Sequence, residues 1–456
     1  MENIVFGGNW SSRGGAMCNI NSNPTLSNCL FKRNIAMGYD SEYYGGAIDN
    51  YNSSPTITDC TFIENRADLG GAISNGNGSP VIIRCTFTGN SVNDNGGAII
   101  TGAGRPTLTD CTFVDNSAHT YGGAVCSASS QALSVTNCSF TSNHAYDGGA
   151  IYSDYRDIIN LSNCTFNDNS ASRGGAVCTN GAWYDDPNSA ASIIACSFGG
   201  NSAYQGAALY SGSNRRLLVL NCTLTGNRAA QYGGGFYCYG SQPFILNCTF
   251  AQNLAEKGTA LACEWEPSIV QLTNSILWNG GDEVFDSVGS TIDVAFCDVQ
   301  SGYAGAGNLN TDPCFAEPGY WDPNGTPDDP NDDSWVDGDY HLKSQASRWQ
   351  PADTSQFSTL NSQLSQGSWV QDTVTSPCID AGDPMSPIGY EPFPNGGRIN
   401  MGAYGGTAEA SKSYFGGPVC ETIFAGDING DCKVDFTDFA ILALHWLDDN
   451  TTSQAE

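Results

Sequence analysis

Positive charge is scarce in this chain of 456 residues: 17 Lys and Arg stand against 47 Asp and Glu, for a net charge of −30. A chain so poor in cations has no basic face with which to hold phosphates, which argues against nucleic acid and anionic membranes as partners. Divalent cations and neutral or cationic surfaces remain compatible, and charge of one sign also keeps a protein in solution. Long apolar runs are missing as well. No stretch reaches the 18 apolar residues of a membrane helix, so nothing here spans a bilayer as a helix. Only four His occur (His119, His144, His341, His445), and there is neither a G-x-S-x-G nucleophile motif nor a phosphate loop. Met1 to Trp10 has no basic start and no apolar core, so no signal peptide is visible. Apolar residues at helical spacing are absent over most of the chain.

What the chain has in abundance is repetition. In Pro55 to Ile73, PTITDCTFIENRADLGGAI, a Cys-x-Phe element is followed by Asn and then by a Gly pair. The Cys recurs as Cys29, Cys60, Cys85, Cys111, Cys138, Cys164, Cys196, Cys222 and Cys248, in steps of 31, 25, 26, 27, 26, 32, 26 and 26 residues. Five positions on stands an Asn each time, from Asn34 to Asn253, and the Gly pair recurs from Gly45-Gly46 to Gly233-Gly234. A fixed period of this size means stacked solenoid coils. The repeats are rich in Thr, Ile, Val and Phe and broken by Gly, Asn, Asp and Pro, so each reads as short strands joined by turns.

The expected fold is therefore all-β, a parallel β-helix of about ten coils spaced by about 4.8 Å, a rod of roughly 45–50 Å. The Phe two residues after each Cys (Phe62, Phe87, Phe113, Phe140, Phe166, Phe198) should point inward and stack, with Leu224 in its place once. The Asn should sit at a corner, where it tolerates a left-handed backbone and its amide can bond from coil to coil. The Gly pair should supply a second bend with φ > 0.

Phe62-Ile63-Glu64-Asn65 with Gly70-Gly71-Ala72-Ile73, and its copies in nearly every coil, resembles the repeats of polymorphic outer membrane proteins. That resemblance implies a right-handed parallel β-helix on a secreted or surface protein, extracellular in location and adhesive in some members. The right hand also agrees with the rule for parallel crossovers. Phe6, Asn9 and Gly14-Gly15-Ala16-Met17 already match the repeat, so the chain starts in mid-coil; the expectation is that residues are missing upstream, or that this end docks onto another subunit.

The chain has 19 Cys, but nine occupy one repeat position. These should form a buried ladder of reduced, small side chains, because in-register parallel side chains run side by side in poor disulfide geometry. A second set, Cys18, Cys126, Cys178, Cys238 and Cys263, follows the Gly pair and also reads as core. Two repeats carry insertions. Gly38–Tyr44 brings Tyr39, Tyr43 and Tyr44 beside Asp40, and Asn180–Ala191 brings Trp183 and Tyr184 beside Asp185 and Asp186. Such loops sit on the surface, and aromatics beside carboxylates suit sugar stacking or a protein partner.

Four segments follow from this pattern: repeats over 1–300, an irregular cap over 301–410, a linker over 411–419 and a calcium segment over 420–450. The cap sequences around Asn308–Phe315, Gly338–Leu342, Ser376–Gly382 and Asn400–Tyr404 resemble the C-terminal cap of secreted bacterial β-helix proteins, with Cys314 and Cys378 a candidate pair. The stretch Asp322–Asp339 is dense in Asp and Asn, either an acidic loop or a calcium site. In Gly426–Leu447, Asp427, Asn429, Asp431, Asp435 and Asp438 hold positions 1, 3, 5, 9 and 12 of a twelve-residue loop, with the Lys433 carbonyl at position 7. That is the oxygen spacing of a calcium loop leading into a helix. It resembles one segment of a type I dockerin, which implies a cohesin-like partner. Two segments are usual there and only one is present, and Cys432 stands where the turn prefers Gly; a bridge to Cys420 would brace the loop.

Asp59, Glu64, Asp110 and Asp115 recur near one corner, but other coils put Asn28, Arg84, Asn137, Asn163 and Ala195 at that corner, which is surface variation and no single catalytic constellation. His119 and His144 read as equivalent positions one coil apart. Asn-Cys-Ser/Thr triplets at Asn137, Asn163, Asn221 and Asn247 match glycosylation sequons, and equally the corner before the Cys strand. The leading expectation is an extracellular adhesive rod that binds glycans or a surface protein, anchored or assembled through calcium. The alternatives are a filament subunit that self-associates end to end, and a polysaccharide lyase or hydrolase of the pectin-lyase-like class.

Overall fold

The structure, a computed structural model, describes residues 1–37, 44–128, 132–154, 157–180, 191–213, 216–326, 333–351 and 367–416, with Val434, Phe436 and Phe439. Each repeat lends one strand to each of three parallel sheets, and each strand pairs with its copy one coil later. The Phe sheet has twelve strands, from Val5–Gly7 to Asp298–Val299. The Gly sheet has eleven, from Met17–Ile20 to Val284–Asp286, and the entry sheet, which leads into the Cys corner, has eleven from Thr25–Ser27 to Thr291–Ala295. A shorter row follows the Asn corner. It runs from Trp10–Ser11 to Ser117–Ala118, continues as single bridges at His144 and Ser170, and ends in Ser202–Gln205 and Arg228–Tyr232. The bridge sets His144 opposite Ser117, so His119 is not its counterpart as the sequence suggested.

The core is a set of side-chain ladders. From Phe6 to Phe198 the rings stack at centroid spacings of 4.7–4.9 Å, tilted by 2–7°. Leu224, Phe250, Leu277 and Val299 continue the column. Beside it the Asn ladder is fully buried. Asn116 is typical: its Oδ1 accepts from the Asn90 backbone N–H at 3.0 Å and from Asn90 Nδ2 at 2.9 Å, while its own Nδ2 donates to Phe87 O and to Asn143 Oδ1, both at 3.0 Å. All the amides donate toward the C-terminal end, where a pure acceptor is needed. Glu283 provides it, taking Asn279 N–H at 2.8 Å and Asn279 Nδ2 at 2.6 Å.

The left-handed backbone falls one residue before the expected place. Glu64 (φ 53°) precedes the Asn and Asp59 (φ 54°) precedes the Cys, whereas Asn65 itself is not left-handed. The Asn is thus held for its amide and not for its backbone freedom. The Gly pair divides its work: Gly70 has φ 64°, and a Cβ on Gly71 would stand 2.0 Å from the Gly97 carbonyl oxygen of the next coil.

Every described cysteine is a free thiol. The ladder cysteines are polar participants as well as core. Cys111 N–H donates to Cys138 Sγ at 3.3 Å, and Cys138 Sγ–H donates to Thr136 O at 3.3 Å. Ser275 takes one rung with the same two bonds. Burial pushes the Cys196 and Cys248 thiols well above the ordinary range, which keeps them protonated. The second cysteine set divides by register: Cys238 and Cys263 join the core, but Cys126 and Cys178, one position earlier in their strands, face outward. A shift of one residue reverses the face of a strand.

The irregular segment does more than close the end. Residues near Leu309 cap the last rung, and the rest folds back along the solenoid flank. Asn221 Nδ2 donates to Ala403 O at 2.7 Å, Asn247 Nδ2 to Gly405 O at 3.0 Å and Asn274 Nδ2 to Ser386 Oγ at 3.1 Å. Two of the four sequons are therefore occupied by the fold itself. At the start of the expected linker, Ser411 Oγ donates to Leu342 O and Lys412 N–H to Ser347 O at 2.9 Å.

Candidate binding surfaces on the solenoid flank and the cap seam

The outer face of the Gly sheet carries the structure's second apolar layer. In strands Ile151–Ser153, Leu209–Gly212 and Phe236–Tyr239 the first residue enters the core, so Tyr152, Tyr210 and Tyr237 point outward. They meet Tyr121 and Tyr232 from the neighbouring row: Tyr121 stacks on Tyr152 at 4.3 Å, and Tyr232 on Phe285 at 5.7 Å. Burial pushes all three outward phenols above their usual range, so they stay neutral. Arg173 lies over Tyr210 at 5.6 Å and pairs bidentately with the fully buried Asp147. Lys257 lies over Phe285 at 4.9 Å. At the first coils Arg13 holds the buried Asp49 at 2.7 Å and lies over Tyr44 at 5.7 Å and Tyr51 at 5.6 Å.

Tyr44 is thus built into this flank. Tyr39, Tyr43, Trp183 and Tyr184 lie outside the described residues. On the short row, Tyr146, Ser172 and Tyr204 form one column, linked by Ser172 N–H to Tyr146 O at 2.7 Å and Tyr204 N–H to Ser172 O at 3.0 Å. Tyr146 is 58% exposed and Tyr204 49%. Sequence reasoning missed this column because it varies from coil to coil; the signal was an aromatic three residues past the Asn in two coils only.

The cap hairpin Tyr320–Asp322 with Ser334–Val336 docks on the opposite side of the Asn corner. The two columns before the Asn hold Gly199, Gly200 and Gly226 here, as they hold Gly7, Gly8 and Gly89 in earlier coils. A Cβ on Gly226 would stand 2.1 Å from the Trp335 ring, and one on Gly199 would stand 2.8 Å from Asp337 Oδ1. Glycine alone does not mark the contact, because Gly8 and Gly89 hold the same column with no cap residue near them. In the acidic stretch Asp322–Asp339, of which residues 327–332 lie outside the described residues, three described carboxylates bond protein groups. Asp333 pairs with Arg228 at 2.9 Å, Asp337 accepts from Trp335 Nε1 at 2.6 Å, and Asp339 bonds His341 Nδ1 at 2.6 Å and Arg348 at 3.1 Å. Those carboxylates are engaged by protein donors and do not converge on a cation. At the seam, desolvation and then the Asp337 carboxylate push the Asp168 carboxyl up to about 6.

Cys314 and Cys378 stand as free thiols and not as the expected bridge. Cys378 is buried with its Sγ 3.1 Å from Asp298 Oδ2, a contact that satisfies the thiol without a partner sulfur. Among the described residues no three of His, Cys, Asp and Glu converge as metal ligands. The calcium positions Asp427, Asn429, Asp431, Lys433, Asp435 and Asp438, and the pair Cys420 and Cys432, lie outside the described residues. The recurrent corner carboxylates make surface ladders: Asp59 holds Arg84 at 2.8 Å, and Asp110 accepts from Asn137 at 3.1 Å.

No curated protein and no solved structure matches the chain. A family model described as "Right handed beta helix region" matches residues 1–113, 68–214 and 122–299. These matches overlap and run to the last rungs of the three sheets. With the rung-by-rung parallel pairing seen over the same residues, they establish that the chain belongs to the right-handed β-helix family.

Proposed function

We propose that this chain is an extracellular β-helix rod that binds glycans through the flank formed by the short row and the outer Gly sheet, held in place by its calcium segment. The observation that carries the reading is the column of Tyr146 and Tyr204. These are open aromatic platforms two coils apart, about 10 Å by the strand spacing, on a rigid face. Flat ring faces at a fixed spacing suit the apolar faces of successive sugars in an extended chain, and Ser172 between them offers a hydroxyl. Arg173 adjoins the same face. The solenoid ladders behind the column hold the platforms without an ordering cost on binding.

The test is capture of immobilised polysaccharides by the full chain and by a Tyr146→Ala/Tyr204→Ala variant. Both residues are exposed, so the variant should keep its melting temperature and lose about tenfold in affinity. Equal capture by the two proteins would refute the reading. The calcium segment rests on the spacing of Asp427, Asn429, Asp431, Asp435 and Asp438 alone. Titration calorimetry should show calcium uptake that Asp427→Ala/Asp438→Ala abolishes, and surface attachment or assembly through this segment should then be lost in chelator.

A further inference from the structure

The seam between solenoid and cap encloses a cavity of about 480 Å³ that the functional reading above does not use. That volume lies in the range of small-ligand sites, about 300–1,000 Å³. Its floor is Ala251, a small residue in the column that carries Val114, Asn167 and Trp278 in other coils. One wall is apolar, built from Trp278 of the last full coil and Phe315 of the cap. Polar lining comes from three separate elements: Gln252 from the turn after strand Thr249–Ala251, Asp312 from the start of the cap, and Lys343 after strand Asp339–Leu342. The Cys314 thiol opens into the same space.

We infer that this cavity is a binding site for one or two units of a neutral saccharide. A lining that combines aromatic residues with amide, carboxylate and ammonium groups is amphipathic in the manner of a pyranose, which has an apolar ring face and an equator of hydroxyls. Asp312 supplies acceptors and Lys343 donors, and Gln252 offers both. The two charged lining residues cancel, so the site has no surplus cation for a phosphate or uronate, and the net charge of −30 repels anions at a distance. Asp312 is already oriented by the Cys314 N–H at 2.8 Å. The site shares its ligand class with the function proposed above but lies on another surface.

The cavity holds its own reporter. Among the described cysteines only Cys314 and Cys18 are not buried, and Cys18 lies at the other end of the solenoid. The experiment is alkylation of the intact chain with N-ethylmaleimide, read by peptide mass spectrometry. Millimolar glucose, galactose or N-acetylglucosamine, or their β-linked disaccharides, are added as probes. At least one sugar should slow modification of Cys314 by about tenfold while Cys18 reacts unchanged. Gln252→Ala and Trp278→Phe should each raise the sugar concentration needed for protection by about tenfold without altering the unprotected rate. No protection by any probe, or equal protection in both variants, overturns the inference. Tyr146→Ala/Tyr204→Ala should leave Cys314 protection intact. Lost protection with intact polysaccharide capture removes the cavity site alone, and the reverse removes the flank reading alone.

Discussion

Substitution of Asn116 separates a hydrogen-bonded ladder from a merely space-filling one. Asn116 is fully buried in the middle of the rod and makes four side-chain hydrogen bonds of 2.9–3.0 Å. Each is worth about 0.5–1.5 kcal/mol net. In Asn116→Ala the Asn90 backbone N–H loses its acceptor and stays buried, a further cost of about 1–3 kcal/mol. Asn90 Nδ2 keeps Phe62 O, and Asn143 Oδ1 keeps the Asn116 N–H, so neither is orphaned. The sum is about 3–9 kcal/mol, a large share of the 5–15 kcal/mol that holds a typical domain. Asn116→Asp decides the point. Asp has the same shape, yet it turns a donor into an acceptor facing Phe87 O and Asn143 Oδ1 and buries a charge between them. Urea unfolding followed by far-ultraviolet circular dichroism should rank Asp as at least as damaging as Ala at neutral pH. Because coils contact only their neighbours, hydrogen exchange should place the opening at Asn90 and Asn116 first. An Asn116→Asp protein as stable as the parent would refute the ladder argument.

The other ladders make parallel predictions. Cys138→Ser should cost less than Cys138→Ala in the same urea assay, because Ser275 already makes both rung bonds while Ala leaves the Cys111 N–H unpaired, about 1–3 kcal/mol. Phe140→Ala should cost about 3–5 kcal/mol, but Phe140→Leu much less, since Leu224 fills that position within the stack. The cap seam should respond to pH through Asp168, whose carboxyl lies at about 6 against an ordinary 3.8. A raised carboxyl pKa means that the docked state binds the extra proton, so docking strengthens as pH falls through 6 toward 4 and weakens above it. Asp337→Asn should remove the repulsion, keep the acceptor for Trp335, and flatten that dependence; Trp335 fluorescence against pH reads it.

Regularity made the sheets legible and irregularity made the surfaces hard to read. A side chain repeated nine times, like Phe or Cys, identifies its own face, because only the core demands the same volume in every coil. The Asn corner was placed correctly for the same reason, but its conformation was not. Sequence shows that Asn is required without showing whether its backbone or its amide is, and the left-handed turn before it is carried by residues as different as Arg33, Glu64, Asp115 and Gln252, so no pattern announces it. Tyr152 and Cys126 were harder still. They occupy a column that alternates with Ile100 and Ser74, and nothing in one coil reveals that the next will cover it.

The same logic turns inside out for function. In a solenoid, a position that keeps one residue in every coil is answering to its neighbours above and below, and a position that departs from the pattern is answering to something else. Gly199, Gly200 and Gly226 depart by losing their side chains, and Trp335 with Asp337 fills the space they leave. Ala251 departs in the same direction one coil later; it packs with Phe315 and Tyr340 of the cap, yet beside it a cavity bounded by Trp278 and Lys343 stays unfilled. Tyr146 and Tyr204 depart in the opposite sense, by adding large exposed rings where other coils carry Ser172 or His119. Losses covered by the chain explain docking. A loss left uncovered and a gain left exposed are not explained by folding, because an exposed ring and an unfilled space each forgo packing energy that a repeat could readily supply. Ligand contact is the use that accounts for both, which is why the two sugar sites proposed here fall at those departures and nowhere on the invariant columns.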